Sequence, residues 1–473
     1  MATLEIDIDP HRTRPQTEPL IELEPRSGLR MLVMGEFSGR STGKLMRVDR
    51  DNFETILSGF APHVEVAMGS GQLGDADLVF HSLADFEPDS IYRTSELFAQ
   101  LRDQTGHTLY SEPDESETHT PLKPTAEQIA RLTSPGGLLD AILEKGSAAP
   151  TSSFEQARAP KGVDEFQDMV ERIVAPYAKP GESAESRKMA TERKQRLGLM
   201  MAHILHDEQF QAMEAAWRGL DLLVHGLDTD SEIHLYLFDI SREKLAGGLR
   251  EAGDVRATGI YQTLTDDRTA GQWGLIIGNF AFDREVVQDV EALERVSALA
   301  QALGAPFIGE WLTSRDESAK AQAAWEALRK SAAAQYVALA LPRFLLRLPY
   351  GKDTVAVEGF AFEEMKGEPV HCEYLWGNPA FACALVLGRL YEQQGSLAPI
   401  PGHMRLSDLP LHIFEVNGEK RARPCTEVLL SENDCQALLD EGVLPLAAVK
   451  SSDTIVFPRV RSIAASTATL AGW

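Results

Sequence analysis

Three groups of residues have types and spacings that could do chemistry. His203, His206 and Asp207 form an HxxHD cluster in a predicted helix, where positions i and i+3 share a face and could hold a metal ion. No HExxH accompanies them and no third ligand stands at a recognised spacing, so a histidine pair near a helix end is the better reading. Gly35–Lys44, GEFSGRSTGK, follows an apolar run as a phosphate loop would. A phosphate loop needs glycine five residues before its Gly-Lys pair and Ser or Thr after the lysine. Ser38 and Leu45 stand there instead, which leaves a polar surface loop. The third group is LPRFLLRLPYG, Leu341–Gly351. Pro342 can open a short helix and Pro349 must end it, which would set Arg343 and Arg347 four apart on one face. In an acidic chain two such guanidinium groups hold carboxylates, either within the chain or across to another subunit. GxSxG, HRD, DFG and EF-hand patterns do not occur. The residues make no positive case for an enzyme, and no catalytic residue, metal site or cofactor is expected.

The elements that must carry these groups read as an α/β (mixed α+β) fold. Leu29–Met34 is an apolar run stopped by Gly35, Asp51–Leu57 has helical spacing, Asp77–Phe80 is a strand, and Ile91–Leu101 is a helix opened by Pro88 and Asp89. A long helix is expected from Ala184 to Val224, broken near Asp207. Beyond it, strands at Ile233–Phe238, Trp273–Gly278, Pro306–Gly309 and Tyr336–Leu339 alternate with helical stretches. Asn378–Gly395 carries the full set of helix signals: Asn378 as cap, Pro379 first, Gly395 as stop. Helices are also expected at Gly137–Lys145 and around Val163–Ala175. Leu4, Ile6 and Ile8 alternate with Glu5, Asp7 and Asp9, as in a strand with one buried face or in a terminus without fixed structure. The boundaries follow as an extended arm over 1–28, a small α/β domain over 29–105, linker and helices over 106–200, and an α/β core over 201–473.

Composition limits the partners. The 473 residues carry 46 basic and 71 acidic side chains, a net charge of −25, which opposes nucleic acid and anionic lipid. No stretch reaches 18 apolar residues, so no spanning helix is expected, and MATLEIDIDP lacks a secretory apolar core. Four cysteines, none at CxxC spacing, fit reduced thiols in a cytoplasmic protein.

Several long blocks resemble a known family. ILHDEQFQAMEAAWRGLDLLV (Ile204–Val224), YVALALPRFLLRLPYG (Tyr336–Gly351), YLWGNPAFA (Tyr374–Ala382) and CTEVLLSENDCQALLDEGVLPL (Cys425–Leu446) look like the large contractile-sheath subunit of the type VI secretion system, TssC or VipB of the ImpC/EvpB family. LVMGEFSGR (Leu32–Arg40), RVDRDNFETIL (Arg47–Leu57) and LVFHSLADFEPDSIYRTSELFAQLRD (Leu78–Asp103) resemble the small subunit, TssB or VipA. The chain therefore resembles a small-subunit-like head fused to a large-subunit-like body.

The resemblance implies a structural sheath protomer that associates with TssB and TssC subunits by exchanging strands. Leu4, Ile6 and Ile8 sit where the small subunit donates such a strand. Leu138, Leu139, Ile142 and Leu143 match the short helix that the disassembly ATPase ClpV engages in this family, although a helix packed permanently on the body fits them equally. Contacts with the Hcp tube or the baseplate are further implied partners. The family's large subunit continues past the stretch equivalent to Ser452–Val460, whereas this chain stops at Trp473. That difference implies an accessory, terminal or initiating protomer, with a regular subunit along the polymer and a monomeric adaptor as alternatives.

Overall fold

The strand β1, Leu29–Gly35, is buried at all seven positions, the mark of a strand covered on both faces rather than one. In the computed structural model it lies inside a seven-stranded sheet, parallel to β5 (Ile233–Asp239) on one side and to β6 (Leu275–Asp283) on the other. The strands it joins are thus some two hundred residues distant along the chain. The sheet continues through β7 (Phe307–Leu312), β8 (Val337–Leu341) and the short edge strand Val443–Pro445, all parallel. At the opposite edge β2 (Leu45–Val48) runs antiparallel against β5. A separate hairpin joins β3 (His63–Val66) to β4 (Ala76–Val79).

The structure describes residues 28–69, 74–99, 184–266, 271–312, 318–399, 403–465 and 469–472. Those within 1–99 and 196–473 form one compact unit, and 100–195 is a second. The arm, with Leu4, Ile6 and Ile8, lies outside the described residues, as do the stretches 137–145 and 163–175.

The helices that position the sheet have local causes. Helix α1 spans Phe53–Phe60, α2 spans Pro88–Thr94 and α3 spans Ala184–Leu205. Helix α4, Glu208–Gly226, starts because the Asp207 carboxylate accepts hydrogen bonds from the amides of Gln209 and Phe210, which is the break expected in the long helix. Helices α5 (Arg242–Gly248) and α6 (Gly259–Leu264) connect β5 to β6, and α7 (Val287–Leu303) and α8 (Ala319–Lys330) follow β6 and β7. Helix α9, Pro379–Gln394, begins at Asn378, whose side chain accepts from Ala380, and ends at Gly395 with φ of 68°. One face of the sheet, with Leu32, Met34 and Ile276, packs on Val290, Leu293 and Val296 of α7. Helix α9 contacts β6, β7 and β8 and packs against α4. A Cβ at Gly219 would come 2.5 Å from the Phe381 ring, so glycine there permits the close approach of α4 and α9.

Two expectations are corrected. Leu341–Gly351 is not helical: Phe344–Leu345 is a strand paired antiparallel with Trp376–Gly377, and both of its residues are fully buried. Burial and strand pairing override the local helix signals from the flanking prolines. The helix opened at Pro88 ends at Thr94, because Ser95 is extended, and Glu96–Phe98 adds one 3-10 turn.

Candidate functional site

Part of the unusual chemistry lies along a seam where segment 28–99 meets segment 196–472, and the rest lies within the latter. The polar loop after β1 wraps the carboxylate of Asp239 at the end of β5. Asp239 accepts from the amides of Phe37 (2.8 Å), Ser38 (3.1 Å) and Thr42 (2.7 Å) and from the hydroxyls of Ser38 and Thr42, both at 2.7 Å. The glycine-rich loop therefore does form an anion-binding nest, and the chain's own carboxylate fills it. Burial raises the Asp239 pKa, but these hydrogen bonds outweigh it and hold the group below its ordinary value.

Aromatic side chains close the same seam. Trp217 of α4 is fully buried, donates from Nε1 to the Phe37 carbonyl at 2.9 Å, and meets the rings of Phe37, Phe53 and Phe60 within 6.1 Å. Phe80 and Phe86 stack on each other, and Phe210 lies beside the stack in edge contact with both. Arg50 donates to the Val224 and Leu227 carbonyls at the end of α4, and Asp89 accepts from the amides of Glu358 and Gly359.

The two arginines lie in different environments. Arg347 is 9% exposed and reaches Glu214 of α4 (Nε to Oε1, 2.9 Å) and Glu364 (Nη1 to Oε2, 2.8 Å; Nη2 to Oε1, 3.0 Å). Arg218 adds a second guanidinium at 2.7 Å from Glu214, so two cations face two carboxylates. Glu364 also accepts from the Tyr350 amide; burial would raise its pKa, but Arg347 and these hydrogen bonds bring it down to about 2. His206 stands 3.7 Å from Glu364, too far for a hydrogen bond.

Arg343 is over one-third exposed and makes a bidentate pair with Glu427, at 2.9 and 2.7 Å, and His371 approaches the same carboxylate at 2.8 Å. Glu310 of β7 lies 3.7 Å from Arg343 and is 7% exposed. Burial lifts its pKa to about 7 in spite of Arg343, with Glu427 repelling it further. A carboxyl raised on folding keeps its proton where the unfolded chain has lost it. The native state then binds more protons between the ordinary value of 4.5 and about 7, and stability falls as pH rises through that window. Glu310→Gln should remove this slope. Relative to the parent it should gain on the order of 2 kcal/mol between pH ~5 and ~8 in urea denaturation. A parallel pH profile for the two proteins would refute the assignment.

His203 donates from Nε2 to the Ala67 carbonyl, 2.9 Å away, and Asp207 caps α4, so the HxxHD cluster is divided among structural roles. Among the described residues no group of three His, Cys, Asp or Glu side chains could hold a metal, and no helix is long and apolar enough to cross a membrane. Asp239, Glu214, Glu310, Glu364 and Glu427 had no sequence signal of their own. The loop glycines and hydroxyls suggested a phosphate loop, which their spacing excluded.

Comparison with known proteins agrees with this arrangement. The family model for the EvpB (VipB) tail sheath N-terminal domain matches residues 188–315 and 312–464, more than half of the chain. The type VI secretion system VipA model matches residues 22–105. The type VI secretion system sheath protein TssC1 of Pseudomonas aeruginosa is 31% identical over 287 residues, which cover 55% of this chain and 57% of that protein. The chain thus spans little more than half the length of that curated relative.

Proposed function

The chain belongs to the VipB tail-sheath family, with a VipA-like segment fused ahead of it, and on that footing we propose that it is an accessory protomer of a type VI secretion contractile sheath. In this reading one chain stands where a small and a large subunit otherwise stand as a pair. The observation that carries it is the place of β1: the VipA-like segment supplies an interior strand, between β5 and β6 of the VipB-like segment. A parallel strand buried on both faces cannot leave without exposing two neighbours, so the head and body act as one unit.

The protomer joins its neighbours by strand exchange, with Leu4, Ile6 and Ile8 as the donated strand and TssB and TssC subunits as partners. Each donated hydrogen bond nets about 0.5–1.5 kcal/mol, whereas ordering each residue costs about 1–2 kcal/mol. A single arm is weak, and a polymer of coupled arms holds. Leu138, Leu139, Ile142 and Leu143 form the handle for ClpV, and the protein works in the cytoplasm in a terminal or initiating position. Contact with Hcp or the baseplate belongs to that position.

A fluorescent copy imaged on assembled sheaths tests the placement. Signal at one end is expected. Uniform signal would replace this reading with that of a regular subunit, which the self-contained core also suits. Deleting residues 2–9 should abolish co-purification with the ordinary sheath pair, and unchanged co-purification would sink strand donation. Asp at both Leu139 and Ile142 should remove ClpV binding while leaving the melting temperature unchanged. A chain that never co-purifies with sheath subunits yet binds ClpV would be an adaptor instead.

A further inference from the structure

The order of strands reverses at β1. From β1 the chain adds β5 and β2 on one side, and then crosses back to add β6, β7 and β8 on the other. In parallel α/β sheets a crevice opens at such a point, beyond the carboxyl ends of the strands. Pairing of β1 with β6 stops at Met34 and Gly278, and β6 shifts register between Ile277 and Ala281. That shift is against β7, β1 itself ends at Gly35, and a cavity of about 640 Å³ lies beyond its end, lined by Glu36, Asn279 and Phe280. Its floor and walls include Phe280, Val64 and Met213, and its rim carries Glu36, Arg242 and Glu243.

The chemistry of this crevice selects its occupant. In many sheets of this topology the site takes a phosphate on the loop after the first strand. Here that loop's amides already hold Asp239, so an anion finds no free nest. Arg242 is likewise engaged, by Asp289 at 2.8 Å, the Ala281 carbonyl at 3.0 Å and, at 3.5 Å, Glu243. One guanidinium thus serves two carboxylates, Glu243 keeps a side chain 75% exposed, and exposed Glu36 leaves the rim with excess negative charge. An apolar wall under an acidic rim fits a lysine or arginine side chain, which buries its aliphatic stem and keeps its charged head at the surface. The volume exceeds what one side chain fills, leaving room for adjacent backbone. A second copy of a chain with net charge −25 is a poor source of such a segment. We propose that the crevice beyond the end of β1 binds an arginine- or lysine-bearing segment of a partner polypeptide, with its cation between Glu36 and Glu243.

The test uses the full chain and a fluorescein-labelled Ala-Arg-Leu-Arg-Ala peptide, followed by anisotropy. Glu36→Gln combined with Glu243→Gln should weaken binding about tenfold, the scale of losing two solvent-screened charge contacts. Ala212→Trp, on the exposed face of α4 beside the cavity, should block it without a change of charge. Thermal melts of both variants should match the parent. The control pair Glu54→Gln and Glu251→Gln, exposed elsewhere, should bind like the parent. Equal loss in that control would show diffuse attraction to an acidic protein and overturn the proposal, as would parent-like binding by both crevice variants. Displacement by spermidine at equal concentration would assign the site to free polyamines and overturn the polypeptide reading.

Discussion

Arg347→Met should lower the stability of the folded unit by about 3–5 kcal/mol, the range for removing one partner from a buried ion pair. Methionine replaces most of the volume but none of the charge. Glu214, 0% exposed, would then keep only the guanidinium of Arg218, and Glu364, 4% exposed, would have no arginine within reach. Glu364 would lose both of its Arg347 bonds and keep the Tyr350 amide. Its depressed pKa means that the parent gains stability above the ordinary carboxylate value and loses it as pH falls toward about 2. In the variant Glu364 should bind a proton more readily, so its deficit against the parent should be largest at neutral pH and shrink in acid. Adding Glu364→Gln should recover a large part of the loss, since a neutral amide needs no counter-charge and can still accept from Tyr350. Arg343→Met is the contrast: the Arg343 side chain is over one-third exposed, and its loss should cost only about 1 kcal/mol. Urea denaturation of the four proteins at pH ~7 and ~4 measures all of this. A cost below about 1 kcal/mol for Arg347→Met would show that the cluster is not what holds α4 to the 342–364 segment.

The difference between these two arginines was invisible in the sequence, where they had the same type and a helical spacing of four. Their separation depends on Phe344 and Leu345 being drawn into a strand against Trp376 and Gly377, a contact over thirty residues away. Local signals were reliable where the cause is local. The Asn378 cap, the Gly395 stop and the Asp207 break are each settled within three or four residues, and each is found where the pattern put it. The unbroken apolar run of β1 was legible as a strand, yet its neighbours were not, because pairing with β5 and β6 is set by the closure of loops of about two hundred residues. For the same reason 29–105 read as a small unit by itself, although its first strand completes a sheet built by the rest of the chain. The glycine-rich loop shows the limit most clearly. The missing glycine and hydroxyl made it read as a polar surface loop, whereas Phe37, Ser38 and Ser41 are buried and the loop closes on Asp239, contributed by β5.

That carboxylate carries the second large effect. Asp239→Asn should cost about 2–4 kcal/mol and loosen the loop from Gly35 to Lys44 ahead of global unfolding. The native group accepts five hydrogen bonds, three from backbone amides and two from hydroxyls. An asparagine keeps one oxygen and turns an NH2 group toward the remaining donors, leaving some of them, among them partly buried amides, without an acceptor. Because the native pKa is depressed, the parent's advantage is present above the ordinary aspartate value and fades as pH falls through the lowered one, so parent and variant should converge in acid. Ser38→Ala removes one donor and leaves the charge, and should cost about 1 kcal/mol. Hydrogen exchange distinguishes a local from a global role. If Asp239 ties the head to the sheet, the amides of Phe37, Ser38 and Thr42 should lose protection in Asp239→Asn while those of β7 and β8 keep theirs. Uniform loss across the sheet would instead mean that the nest is part of the global folding unit, with the head unable to loosen alone. With β1 seated between β5 and β6, local loss would confine the opening to the loop, so that the head enters an assembly already closed.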